Sequence, residues 1–196
     1  MAGTVEKRLA ELGIVLPEPV APVANYVPFV RTGNFMVVSG QLCLDAEGKL
    51  VAKGQLGGGV SIDEGIKAAR ACAINVLAQL KAALGDLDKI ARVVRLGGFI
   101  NSAPGFPDGP KVMNGASDLM VAVFGDKGRH ARTTVGVAAL PLDAAASARA
   151  VAEHVGAPLG LIVASALLRC SAVRSPRPSC SWPASDSMPT NSPLAS

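Results

Sequence analysis

The chain has 196 residues, 49% of them hydrophobic, which suffices for one sizeable core and an appendage. A net charge of +4 and a pI of 9.0 raise nucleic acid as a partner, but aromatics make up 4% of residues and no basic stripe interleaved with aromatics is present, which makes that partner unfavoured. Cys43, Cys72, Cys170 and Cys180 show no CxxC and no Cys/His spacing, so neither a metal site nor a disulfide framework is indicated.

Thr4 to Leu12 reads as a short amphipathic helix capped by Thr4 and stopped by Gly13, and Pro17, Pro19 and Pro22 follow as a connector. Glu6, Lys7, Arg8 and Glu11 occupy the place where a signal peptide would be apolar, so the expectation is a cytoplasmic protein with reduced thiols. Residues 1–21 are thus an arm, with a domain over 22–155. Tyr26 to Arg31 and Phe35 to Gln41 read as strands around the turn Thr32-Gly33-Asn34, and Lys49 to Lys53 as a third strand after Asp45-Ala46-Glu47-Gly48.

Ser61 and Glu64 form a capping-box pair. Behind them Ile62, Ile66, Ala69, Ala73, Val76, Leu77, Leu80 and Leu84 recur at helical spacing until Gly85, which predicts a long amphipathic helix. Cys72 falls on its apolar face as a core thiol, whereas nothing in the sequence near Cys43 lowers its pKa. Ile90 to Ile100 predicts a strand with a bulge at Gly97-Gly98, and Lys111 to Phe124 a second helix with Val112, Met113, Leu119, Met120, Val123 and Phe124 inward and Gly125 as its stop.

Gly128-Arg129-His130-Ala131-Arg132-Thr133-Thr134-Val135-Gly136-Val137 then predicts a strand whose pairing stops by Leu140-Pro141. An arginine at a strand mouth offers a planar fork suited to a carboxylate or phosphate; read alone, the motif favours the plainer account of Arg132 as a solvated strand-end charge. His130 invites an acid/base role, but it belongs to the loop before the strand and no acid partner is apparent from spacing. The element order β-β-β-α-β-α-β places two helices on one face of a sheet, an α+β two-layer sandwich. The other face stays bare unless subunits pack there.

Ser39-Gly40-Gln41 at a strand end, Asn114 in the second helix and Ala131-Arg132-Thr133-Thr134-Val135 running to Leu140-Pro141 together resemble the RidA/YjgF family, also called L-PSP endoribonuclease-like or 2-iminoacid deaminase, over roughly Pro22 to Pro141. The N-terminal helix and Gly-Arg-His-Ala-Arg look like a distinct branch of it. The resemblance implies a chorismate-mutase-like homotrimer with clefts between subunits, and hydrolysis of 2-imino acids to 2-keto acids and ammonia with no cofactor or metal. Carried over, Arg132 would grip the substrate carboxylate, Tyr26 would wall the cleft, Ser39 and Gly40 would shape its floor, and Asn114 and Thr134 would line it. Each has a plainer reading: Tyr26 as a strand aromatic, Ser39-Gly40 as a strand end, Asn114 as a solvated helix residue.

The chain departs from that family after Pro141. Where members carry an acidic alternating strand of the Val-Glu-Val-Glu-Ala type, this sequence has Ala144-Ala145-Ala146-Ser147-Ala148-Arg149-Ala150-Val151, with Arg149 in the place of the acid. Alanine's helical propensity leaves the last strand open. Two rivals to the deaminase therefore stand: a non-catalytic carboxylate-binding or chaperone-like trimer and, behind it, an endoribonuclease. Residues 156–196 are rich in Ser and Pro, lack Lys and Glu, and read as a disordered tail; the run Leu159 to Leu168 is shorter than the about 20 residues a membrane span takes. An out-of-frame reading from near codon 146 would account for this change of character, and resequencing that finds an intact frame shared with close relatives would remove that account.

Overall fold

The computed structural model describes residues 3–19 and 25–155, so the tail expectation for 156–196 lies outside the described residues. Five strands form one sheet: β1 (Phe29–Thr32), β2 (Phe35–Leu42), β3 (Ile90–Asn101), β4 (Ala131–Val137) and β5 (Ala146–His154), in the spatial order β1-β2-β5-β3-β4. Helices α2 (Ile62–Leu84) and α3 (Gly109–Phe124) cover one face, and α1 (Thr4–Glu11) packs beside α3. This is the expected α+β two-layer sandwich.

Helix α2 forms as its sequence dictates. The Ser61 hydroxyl accepts from Glu64 N while the Glu64 carboxylate accepts from Ser61 N, and Gly85 at φ 73° ends the helix in the left-handed region where glycine carries no Cβ penalty. Its buried face includes Ala69, Cys72, Ala73, Val76, Leu77 and Leu80. Helix α3 begins at Gly109 rather than Lys111 and buries all six predicted apolar positions. The two helices approach closely because Gly115 has no side chain: a Cβ there would stand 2.1 Å from the Ile66 carbonyl oxygen.

Three expectations are corrected. Thr4 is not the cap of α1; Gly3 takes the N-cap position, and the Asp88 carboxylate, distant in sequence, accepts from Thr4 N at 2.6 Å and Val5 N at 2.9 Å. Lys49 to Lys53 forms no strand, because the 44–53 loop is held by single bridges, Leu44 to Leu50 and Lys53 to Ala144, and by Asn75 Nδ2 donating to Leu42 O and Leu44 O. The irregularities of β3 against β5 fall between Ile90 and Arg92 and between Val93 and Arg95, not at the glycines, which stay in register. Gly98 serves packing instead: a Cβ there would lie 2.4 Å from Met113 Sδ, so its absence lets α3 lie on the sheet.

The stretch left open by its alanine content is strand β5, antiparallel to both β2 and β3. Helical propensity separates residues by less than about 0.7 kcal/mol each. A central position, hydrogen-bonded on both sides, overrides that preference. Ala146, Ala148, Ala150 and Ala152 are buried on the helix side, where small side chains admit α2, while Ser147, Arg149, Val151 and Glu153 alternate onto the other side. That second face is uncovered in the single chain: Val30, Phe35, Val37 and Val135 are exposed, and the Arg149 guanidinium stands 5.0 Å over the Phe99 ring.

Candidate functional site

Strand β4 is the edge strand parallel to β3, with Leu96 opposite Arg132 and Gly98 opposite Thr134. Arg132 and Thr134 therefore share the face that carries the helices, at the border with α3. Asn114 and Ser117, three residues apart on α3, lie on one side of that helix and meet the arginine. Arg132 Nη1 donates to Asn114 Oδ1 at 2.9 Å and to Ser117 Oγ at 3.1 Å. Both Nη1 protons are thus engaged, whereas Nε and Nη2 make no hydrogen bond among the described residues. The side-on edge of the guanidinium, whose geometry matches a carboxylate in bidentate fashion, is the one not engaged.

Behind this contact stands His130. Its Nδ1 lies 2.6 Å from Gly128 O and its Nε2 lies 3.1 Å from Ser117 Oγ. A carbonyl only accepts, so Nδ1 carries the proton; in the neutral ring Nε2 is then the acceptor for the Ser117 hydroxyl. The histidine, without an acid partner by spacing, has a serine partner in space. Ser117 belongs to none of the sequence motifs, although its i,i+3 relation to Asn114 is a usable signal. Thr134 Oγ1 is buried without a hydrogen-bond partner, and its methyl group borders Gly109 at the start of α3.

Tyr26, Ser39 and Gly40 are not in this cluster. Tyr26 precedes β1 and is 55% exposed, outside the ladder because Pro28 has no N–H to donate. Ser39 and Gly40 lie within β2 at an irregularity against β5 between Val38 and Gln41, rather than at a strand end. The Ser39 hydroxyl donates to Val27 O at 2.7 Å, and a Cβ on Gly40 would come within 3.4 Å of Ser147 Oγ. Three strand spacings, about 14 Å, separate β2 from β4. Arg149 is on the open face, opposite to the side on which Arg132 meets α3.

Two other clusters belong to the framework. Cys43 and Cys72 are buried; the hydrogen bond from Cys72 outweighs desolvation and pulls the Cys43 thiol down to about 6, whereas burial pushes the Cys72 thiol up. The carboxylates of Glu6, Asp86 and Asp88 lie close enough together to face one cation, but each already holds part of the fold in place. Glu6 pairs with Lys81, Asp86 caps a one-turn helix through Asp88 N, and Asp88 caps α1. Among the described residues no helix is long and apolar enough to cross a membrane.

The sequence model of the family described as "YjgF/chorismate_mutase-like, putative endoribonuclease" matches residues 6–154. Protein TCP17 of Trypanosoma cruzi is 50% identical over 153 residues, which cover 78% of this chain and 95% of that protein. The crystal structure of Atu1372 from Agrobacterium tumefaciens, described as of unknown function, is 47% identical, covers 78% of this chain with 94% of its own, and superposes with a TM-score of 0.72. That of a protein of Shewanella oneidensis MR-1, described as a "putative endoribonuclease", is 38% identical over 77% of this chain and 99% of its own, with a TM-score of 0.74.

Proposed function

Since the chain belongs to the YjgF/chorismate-mutase-like family, we propose that it binds small 2-oxo and 2-imino carboxylates and hydrolyses the imines to 2-keto acids and ammonia. The observation that carries this reading is the guanidinium of Arg132, held through Nη1 alone by Asn114 and Ser117 with its Nε–Nη2 edge unengaged. A solvated strand-end arginine has no need of two side chains from a neighbouring helix. The reaction asks for little beyond positioning, because an imine carbon is already electrophilic and a carboxylate anchored beside it fixes its approach. The reading needs neither metal nor cofactor, and a cytoplasmic site of action goes with it.

A homotrimer completes the proposal. Arg132, Asn114 and Thr134 border the β4 edge, and Tyr26, Ser39 and Gly40 lie toward the β1 edge. A ring that sets the β1 edge of one subunit beside the β4 edge of the next joins the two halves into one cleft. The exposed apolar residues of the open sheet face support such packing. Light scattering should then return a mass three times the 19.9 kDa of the chain; a stable monomer at micromolar concentration overturns both the trimer and the shared cleft.

A specific observation also favours a rival. Strand β5 carries Ser147 and Arg149 where the family pattern is acidic, and its carboxylate, Glu153, stands near its far end, which favours a binder without catalysis. A coupled assay in which a dehydratase generates 2-iminopropanoate separates the two: accelerated release of pyruvate supports the deaminase. Arg132-dependent binding of pyruvate without acceleration leaves the binder. Ribonuclease action, named for the Shewanella protein, calls for strongly salt-dependent RNA binding, which filter binding between about 50 and 200 mM salt measures.

A further inference from the structure

We propose that the groove between the N-terminal arm and α2 binds a free α-amino acid with an aliphatic side chain, held by Arg70 and Asp45. The groove is separate from Arg132, and the inference does not rest on the deaminase reading. It begins with how α1 ends. Gly13, at φ 66°, donates to Ala10 O at 3.0 Å while Ile14 N donates to Leu9 O at 2.8 Å, the paired bonds by which a glycine in the left-handed region stops a helix and turns the chain. Residues 14–17 are thereby led past α2 toward the loop after β2. That loop is tied to the same helix, since Asn75 Nδ2 donates to Leu44 O at 2.9 Å. Arm, helix and loop border a cavity of about 370 Å³, within the range of small-molecule sites, about 300–1,000 Å³.

Its lining is mostly apolar: Ile14 and Ile74 are half-buried against the core, Leu44 is half-buried in the loop, and Val51 is exposed. Two charged side chains share this lining. Arg70 precedes Ile74 by four residues, so both lie on one face of α2. Its guanidinium makes no hydrogen bond and no ion pair among the described residues. Asp45 supplies the opposite charge from the loop. Its Oδ1 accepts from Glu47 N at 3.0 Å and from Lys49 N at 2.8 Å, which fixes the carboxylate, and its Oδ2 makes no hydrogen bond among the described residues. Both residues are half-buried beside apolar surface, where an unpaired charge is costly, yet they do not pair with each other. A cation and an anion held apart in one apolar groove match a ligand that carries both charges next to an aliphatic group. In a free α-amino acid, ammonium and carboxylate stand on one carbon. The carboxylate takes the guanidinium of Arg70, the ammonium donates to Asp45 Oδ2, and the side chain lies against Ile14 and Ile74. A plain carboxylate would repel Asp45, an amine would repel Arg70, and a residue within a polypeptide has neither backbone charge.

Three probes of one shape test the charges: leucine, isocaproate, which is leucine without its ammonium, and isoamylamine, which is leucine without its carboxylate. Titrated into the full chain, leucine should shift the methyl resonances of Ile14 and Ile74, and the other two should bind at least about tenfold more weakly, since each leaves one charged group unpaired. Arg70→Gln keeps much of the stem and removes the charge; Asp45→Asn keeps an Oδ1 acceptor for the turn. Each should weaken leucine roughly ten- to a hundredfold. Arg132→Ala should leave leucine binding unchanged. If Asp45→Asn loosens the loop, Arg70→Gln alone still decides, because that side chain makes no bond within the described fold. No methyl shift at millimolar leucine overturns the site, as does equal affinity in Arg70→Gln. Isocaproate binding as tightly as leucine overturns the amino acid as ligand, and leucine binding lost in Arg132→Ala but kept in Arg70→Gln assigns it to the other cleft and overturns this one.

Discussion

Asn114 Oδ1 accepts from Arg132 Nη1 at 2.9 Å and, with Ser117 on the same nitrogen, leaves the opposite edge of a strand-borne guanidinium open. If that edge binds a carboxylate, Arg132→Lys keeps the charge, loses the fork, and should damage binding nearly as much as Arg132→Ala. A charge-assisted pair contributes about 1.5–3 kcal/mol, so calorimetry with pyruvate should show roughly ten- to a hundredfold weaker binding in both, with little change in Tm because Arg132 is exposed. Asn114→Ala, which frees the guanidinium without removing it, should cost less than either. Unchanged binding in Arg132→Ala would sink the carboxylate site.

The arm is secured by Asp88 rather than by its own first residue. Asp88→Ala should destabilise α1 by about 1 kcal/mol, the usual worth of a cap, while Thr4→Ala should leave it nearly unchanged. Hydrogen exchange of the amides of Thr4 to Lys7 reads the difference. Equal protection in both variants would place the cap elsewhere.

Glu6 makes the same docking sensitive to acid. Burial acts to raise its pKa, but the hydrogen bond from Lys81, with those from backbone N–H groups, prevails and holds the carboxyl below its ordinary value of 4.5. The folded state thus binds this proton less readily than the unfolded chain. The stabilisation is complete above about pH 4.5 and is lost as pH falls through the lower folded value. Limited proteolysis after Lys7 or Arg8 should accelerate in that acid range, and Glu6→Gln should show the acid-range susceptibility already at about pH 7. Susceptibility that is the same in Glu6→Gln and wild type at neutral pH would rule out this contact as the clasp.

Gly115 tests the helix–helix contact. The nearest obstacle to a Cβ is the backbone carbonyl of Ile66, which has no rotamer to yield, so Gly115→Ala should cost about 1–3 kcal/mol and lower Tm by roughly 3–10 °C, against alanine's better helix propensity. Gly98→Ala meets the flexible Met113 side chain and should cost less. A Gly115→Ala variant as stable as wild type would show that α2 and α3 can separate freely.

How much of this was legible in the sequence follows the range of the interactions. Local signals determined α2, whose capping box and terminal glycine act within a few residues, the hairpin at Gly33-Asn34, and the inward face of α3. The family motifs pointed to Arg132 and Asn114, and the two side chains meet. Tertiary structure alone decided the remainder. Ala146 to His154 has the composition of a helix former and is a strand, because two flanking strands supply backbone partners that outweigh small propensity differences summed over nine residues. Asp88 caps a helix more than 80 residues away, and no local pattern encodes such a contact. Cys72 lowers the Cys43 pKa across the boundary between sheet and helix. Ser117 meets His130 only because α3 crosses back over the edge of β4, which turns two ordinary residues 13 positions apart into donor and acceptor. Periodicity reports which face of an element is buried; what that face meets depends on the packing of elements remote in sequence.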